Sequence, residues 1–401
     1  MTDHLHLAVA LDGAGWHPAA WRESQARPDD LFDAAYWIDL ARTAERGLLD
    51  FVTVEDALAV QSDDPFSPDE RTDRVRGRLD AVEIAARVAP ATTSIGFVPT
   101  AVVTHTEPFH LSKAVATLDY VSSGRAGLRV QVAAAPQANA NVGRRQLPHL
   151  RIDDVGTDEF DTAESALFEE AADYVEVVRR LWDSWEDDAE IRDVATGRFI
   201  DRHKLHYIDF AGANFSVKGP SITPRPPQGQ PPVTALAHLP RGLELIGESA
   251  DIGLITPSTQ EDAADSVATI HAAAAAAGRN GETIHVFADL VVFLDDTDHD
   301  AHERVARLDD AAGAAFRSDA PVFVGTAAGL ADLLIERQSA GISGFRLRPG
   351  TLPTDLDRIV DGLVPELQRR GAFRSEYPKS STLRGLLGLP RPTNRYATAQ
   401  S

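Results

Sequence analysis

Several residues able to do chemistry stand where strands are expected to end. Glu55 and Asp56 follow the run FVTV at 51–54, and Thr100, Thr104 and His105 follow the run SIGFV at 94–98. A histidine changes charge near neutral pH, so His105 reads as a proton donor or substrate contact, or as a surface-loop histidine. Trp16 and His17 lie in the loop after the first apolar run, where an aromatic side chain would wall a pocket. His238 and Arg241 flank the expected start of a helix at 240–249. Free N–H groups and the positive dipole end of such a helix suit a phosphate, and both side chains would supplement them. The chain has no cysteine, which excludes disulfides, thiolate catalysis and Cys-ligated metal. Gly-x-Ser-x-Gly is absent, against a hydrolase nucleophile. His203 and His206 have no carboxylate placed with them, so no metal site is expected.

These positions need a scaffold, and the hydrophobic pattern supplies one. Strand-like runs at 5–11, 51–54, 94–98, 127–135, 233–237, 252–255, 284–294 and 344–347 alternate with helical periodicity at 31–46, 79–88, 107–121, 165–182, 240–249, 260–277, 299–315, 330–339 and 355–369. Repeated βα units imply a parallel sheet, and eight of them fit an α/β fold, a closed (β/α)8 TIM barrel. Active sites of such barrels lie at the carboxyl ends of the strands. We expect a single barrel over 1–371 with an insertion at about 183–232, and a C-terminal extension, 372–401, packing on the barrel or a neighbouring subunit. Within the insertion, the acidic stretch 183–190 reads as a solvated face and the proline-rich 220–232 as an extended surface segment.

The 401 residues carry a net charge of −22, which argues against nucleic acid and anionic membranes as partners. No apolar run is long enough to span a bilayer, and the first seven residues lack the basic and apolar regions of a signal peptide. A cytoplasmic protein is expected.

Several stretches together carry a family likeness: WHPAAWR (16–22), LARTAERGLLDFVTVEDAL (40–58), the run 95–132, VEVVRRLWDSWEDDA (175–189), FSVKGPSITPRPPQGQPPV (215–233) and, most specifically, VPELQRRGAFRSEYPKSSTLRGLLGLPRPTNRY (364–396). The chain resembles the bacterial luciferase-like flavin-dependent monooxygenases, in the branch of the nitrilotriacetate, dibenzothiophene-sulfone and pristinamycin monooxygenases. The resemblance implies a TIM barrel and reduced FMN delivered by a separate NAD(P)H:flavin reductase. It also implies O2 as co-substrate, a flavin peroxide that attacks a small organic substrate, and a homodimer or homotetramer. It places Asp56, Thr100 and Asn141 at the flavin and His238, Arg241 and Gly242 at the phosphate; Trp16, His17 and Thr104 stand in the loops that would line the substrate pocket, and His105, the catalytic candidate, stands where the family has an aromatic residue.

The chain departs from the family pattern at several of these places. Leu128-Arg129 stands for Trp-Asn, Val132-Ala133 for Thr-Ser, and Leu167-Phe168 for Arg-Tyr. Residues 237–242, AHLPRG, replace a Gly-Ser-Ser phosphate run. The departures leave two alternatives: a diverged paralogue that has lost FMN, or an enzyme of the deazaflavin F420.

Overall fold

The computed structural model describes residues 4–63, 68–145, 147, 152–379 and 381–397. Residues 1–3, residues 146 and 148–151 of the polar loop after the fourth strand, and residues 380 and 398–401 of the expected extension lie outside these. Eight parallel strands form the wall: β1 (His6–Leu11), β2 (Phe51–Val54), β3 (Gly96–Val102), β4 (Leu128–Gln131), β5 (Val233–Ala237), β6 (Ile252–Ile255), β7 (His285–Leu294) and β8 (Gly344–Pro349). Each pairs with the next, and β8 pairs with β1, which closes the expected barrel. The strands read as apolar runs because both faces are covered; all ten residues of β7 are buried. A further strand, Val322–Gly325, extends the upper half of β7. Its apolar run, Val322-Phe323-Val324, is short and exposed or half-buried, and the sequence reading did not single it out.

Helices cover the outside: α1 (Ala34–Arg46), α2 (Ala81–Val88), α3 (Pro108–Val121), α4 (Asp158–Asp183), α5 (Pro240–Ser249) and α6 (Gln260–Ala276), with others after β7 and β8. Their starts are written in side-chain caps. The Asp80 carboxylate accepts from Glu83 N–H, Thr157 from Phe160 N–H, and Thr259 with Asp262 makes a reciprocal capping box. The cap at Thr157 starts α4 seven residues before the periodicity predicts. A short helix, Pro136–Val142, stands in the expected polar loop.

Alternation sorts the lumen into layers. Ala8, Phe51, Val98, Leu254 and Phe287 form an apolar floor, and Leu383, Leu387 and Leu389 of the extension join this cluster. A Cβ on Gly96 would sit 2.6 Å from Leu383 Cδ1, so glycine there makes room for the plug. Asp251 locks the extension in place. Its carboxylate accepts from Arg384 Nη2 (2.7 Å), Arg179 Nη2 (2.7 Å) and the Val233 N–H (2.9 Å).

The insertion differs from its expected surface character. Asp183 and Ser184 are fully buried, and so is Gln228 of the proline-rich segment, with Arg225 and Gln230 close behind. The reason is polar pairing: Arg225 Nε donates to Asp183 (3.0 Å), and Gln228 Nε2 donates to Asp119 (2.6 Å). No helix among the described residues is long and apolar enough to cross a membrane.

Removing one partner from a buried ion cluster costs about 3–5 kcal/mol. Asp251→Ala should therefore lower unfolding free energy by about that amount in urea titration at neutral pH. A loss under about 1 kcal/mol would contradict the locking role of this carboxylate.

Candidate active site in the barrel mouth

Above the apolar floor the inward-facing residues turn charged. Thr53 and Glu55 continue the Phe51 face of β2, Arg346 and Arg348 share a face of β8, and Asp289 and Arg129 point in from β7 and β4. Arg129 Nη1 donates to Glu55 Oε2 (2.6 Å) and to Thr100 Oγ1 (2.9 Å). Arg346 Nη1 donates to the other Glu55 oxygen (3.2 Å) and its Nε to Asp289 (2.9 Å). Arg348 Nε donates to Asp289 (2.8 Å) and its Nη1 to Asp319 (2.7 Å). Burial pushes the Glu55 carboxyl up, but Arg129, Arg346 and Arg78 outweigh it and hold it at about 2. Asp289 is likewise held down against its burial by Arg346 and Arg348.

Beside this network lies a cavity of about 310 Å3 between β4, β5, α4 and the start of α5. Val130, Val132, Phe168 and Leu239 give it apolar walls; Arg129, Gln131, His238 and Glu164 give it polar edges. Of the buried side-chain atoms without a hydrogen-bond partner among the described residues, Arg129 Nε and Gln131 Oε1 belong to residues that line this cavity. Thr234 Oγ1 is on β5, His105 Nε2, Gln137 Nε2 and Asn139 Oδ1 are in the loop after β3 and the short helix after β4, and those of Arg27, Arg74, Arg304 and Arg374 lie elsewhere. Thr234 is the register partner of Arg129 across β4 and β5.

The residues singled out from sequence sort into distinct roles. Thr100 is fully buried in the lumen and accepts from Arg129. Thr104 Oγ1 accepts from the Ala133 N–H (2.9 Å), tying the β3 loop to the end of β4. His105 lies by Asn139, and burial, then Arg145, lowers its pKa. Asp56 accepts from the Ala57 and Ala81 N–H groups (2.7 and 3.3 Å), at the start of α2, and burial raises its pKa. Asn141 Nδ2 donates to Leu58 O (2.9 Å) across to the β2 loop. Trp16 reaches the rim: its ring lies 5.8 Å from the Arg348 guanidinium. Gly15 allows this approach, because at φ 121° a Cβ would stand 2.6 Å from Gly350 O. His17 is buried between Asp309 (3.1 Å from Nε2) and the Ala19 N–H (3.0 Å to Nδ1). His238 and Arg241 stand at α5, Arg241 paired with Glu244 (2.7 Å). Gly242 packs on Ala237, where a Cβ would meet the Ala237 Cβ at 2.8 Å. No group of three or more metal-ligating side chains comes together among the described residues.

The sequence reading noted Glu55 at the end of the 51–54 run without giving it a role, passed over Asp289, Arg346 and Arg348, and took Arg129 only as a departure. Their signal was present: single charges inside strands buried on both faces, and at 346 and 348 a period of two that puts both on one face.

Glu55 has its folded pKa depressed, so its stabilisation is full above the unfolded carboxyl value and disappears as pH falls toward 2. Glu55→Gln should lose about 3 kcal/mol at pH 7. It should also flatten the dependence of Tm on pH between about 4.5 and 2. Overlapping acid-unfolding curves for variant and parent would contradict this.

The family model described as luciferase-like monooxygenase matches residues 14–339. The N-acetyl-S-(2-succino)cysteine monooxygenase of Bacillus subtilis (strain 168) is 31% identical, covering 98% of each chain. Nitrilotriacetate monooxygenase component A of Aminobacter aminovorans is 28% identical over the same shares. The crystal structure of a long-chain alkane monooxygenase superposes with a TM-score of 0.85 at 24% identity, covering 97% of this chain and 96% of that one. The barrel, the order of the motifs and these relatives agree: the chain belongs to the luciferase-like monooxygenase family.

Proposed function

We propose that the chain is a flavin-dependent monooxygenase that oxidises a small organic substrate at the mouth of the barrel. In this reading it takes reduced FMN from a separate NAD(P)H:flavin reductase and O2 from solution, in the cytoplasm. The supporting observation is a cavity at the carboxyl ends of β4 and β5 whose lining includes two buried, unpartnered polar atoms, Arg129 Nε and Gln131 Oε1. Each such atom costs about 1–3 kcal/mol when left unpaired, and a ligand with matching groups removes that cost. A flavin ring has a flat apolar body and a polar edge. Val130 and Val132 suit the body; Arg129 Nε and Gln131 Oε1 suit the edge.

When bound, the reduced flavin supplies the electrons that let O2 react. The protein's part is positional. Glu55 and Thr100 hold Arg129 in one orientation, and Asn141 ties the loops after β2 and β4 across the mouth. His105, beside Asn139 and with its pKa lowered by burial, is the group in the loop after β3 able to hold or release a proton. The deazaflavin alternative is less well supported, because its long anionic tail would run past the carboxylates near Arg241. A second reading, a barrel that has lost flavin, draws on the changed residues at α5.

Anaerobic titration with photoreduced FMN should quench tryptophan fluorescence saturably, and Arg129→Met should weaken binding about tenfold or more. Admitting air should then give a reoxidation phase whose amplitude follows protein concentration. No saturation with reduced flavin would overturn the proposal and establish the second reading.

A further inference from the structure

The ring end of the cofactor site and its phosphate end do not match. A phosphate held at a helix start needs free N–H groups, hydroxyls or unpaired cations. At α5 these are used up or missing. Leu239, the N-cap residue, offers no side-chain cap, and Pro240 has no N–H. The Gly242 and Leu243 N–H groups both turn back to Leu239 O (3.0 and 3.3 Å), which leaves one N–H, that of Arg241. The Arg241 guanidinium is half-exposed and paired with Glu244.

His238 adds no donor. Its Nδ1 shares a hydrogen bond with Thr256 Oγ1 (3.0 Å), and its Nε2 faces Asp319 at 3.4 Å. Burial lowers its pKa, which leaves the ring neutral at pH 7.

The surrounding charge is also of the wrong sign for a phosphate. Glu164 lines the cavity, and Glu169, Glu244 and Glu248 stand near it around Arg241. Burial, then Asp161, pushes the Glu164 carboxyl up. A dianionic phosphate would add two negative charges beside four carboxylates, while Arg241 is already paired with Glu244 and Arg129, the other guanidinium of the cavity, with Glu55. The remaining walls there, Phe168, Leu239 and Leu245, are apolar.

We propose that this chain holds its flavin by the ring alone, that the space between α4 and α5 takes an uncharged group, and that riboflavin therefore binds as well as FMN. The inference rests on the flavin-dependent reading above. In that reading the flavin arrives already reduced for each turnover, so the protein has no need to retain it between cycles.

The test is anaerobic fluorescence titration of the full chain with photoreduced riboflavin and photoreduced FMN side by side. The two dissociation constants should agree within about threefold, and inorganic phosphate should not compete with FMN. Replacing the carboxylate and restoring a hydroxyl, in Glu164→Gln with Leu239→Ser, should tighten FMN about tenfold and leave riboflavin unchanged. FMN binding about tenfold or more tighter than riboflavin in the parent chain, or competition by phosphate, would overturn the inference and leave the monooxygenase reading intact. Binding of neither flavin would overturn both.

Discussion

Charges buried inside a closed barrel must be matched within it, and that constraint organises the upper half of this molecule. Moving an ion out of water costs several kcal/mol even after relaxation, so each guanidinium in the lumen needs its carboxylate at hydrogen-bond distance. Glu55, Arg129, Arg346, Asp289, Arg348 and Asp319 satisfy this as a continuous chain reaching from β4 through β2, β8 and β7 to the loop before the added strand. The chain also explains neutral residues. Thr53 and Thr100 are hydroxyls in otherwise apolar strands because Arg346 and Arg129 have further N–H groups to satisfy.

The same constraint marks out the candidate site. On the β7–β8 side Asp289 is shared by two arginines, and the lumen is saturated with partners. On the β4–β5 side Arg129 has one carboxylate and one hydroxyl, and its Nε is left over. The unsatisfied capacity therefore lies on one side of the mouth, next to the apolar cavity. A ligand is directed there by what the network leaves unpaired.

Much of the architecture was legible because parallel strands buried on both faces read as apolar runs, β7 most clearly. The added strand at Val322–Gly325 was not, since its apolar run is only three residues long and its side chains are exposed or half-buried. The proline-rich segment misled for a related reason. Composition reports what a segment can do alone, whereas Gln228 and Arg225 are buried by partners on α3 and at the end of α4. At the site, Thr100 could be read as a strand-end residue, and it lies buried beside Arg129. Whether α5 can still accept a phosphate could not be read, because that depends on where the Gly242 N–H points and which carboxylates approach from α4.

The leucine plug has a consequence for how the barrel is assembled. Chains emerge from the ribosome N-terminus first. All eight strands leave it before Leu383, Leu387 and Leu389, yet these close the floor over Phe51, Val98 and Phe287. Until they arrive, a ring of aromatic and aliphatic side chains faces water, and the Asp251 carboxylate waits for Arg384. Completion of the core is thus coupled to the completion of synthesis, and a nascent chain halted after β8 presents the greasy underside of a nearly finished barrel to chaperones and proteases.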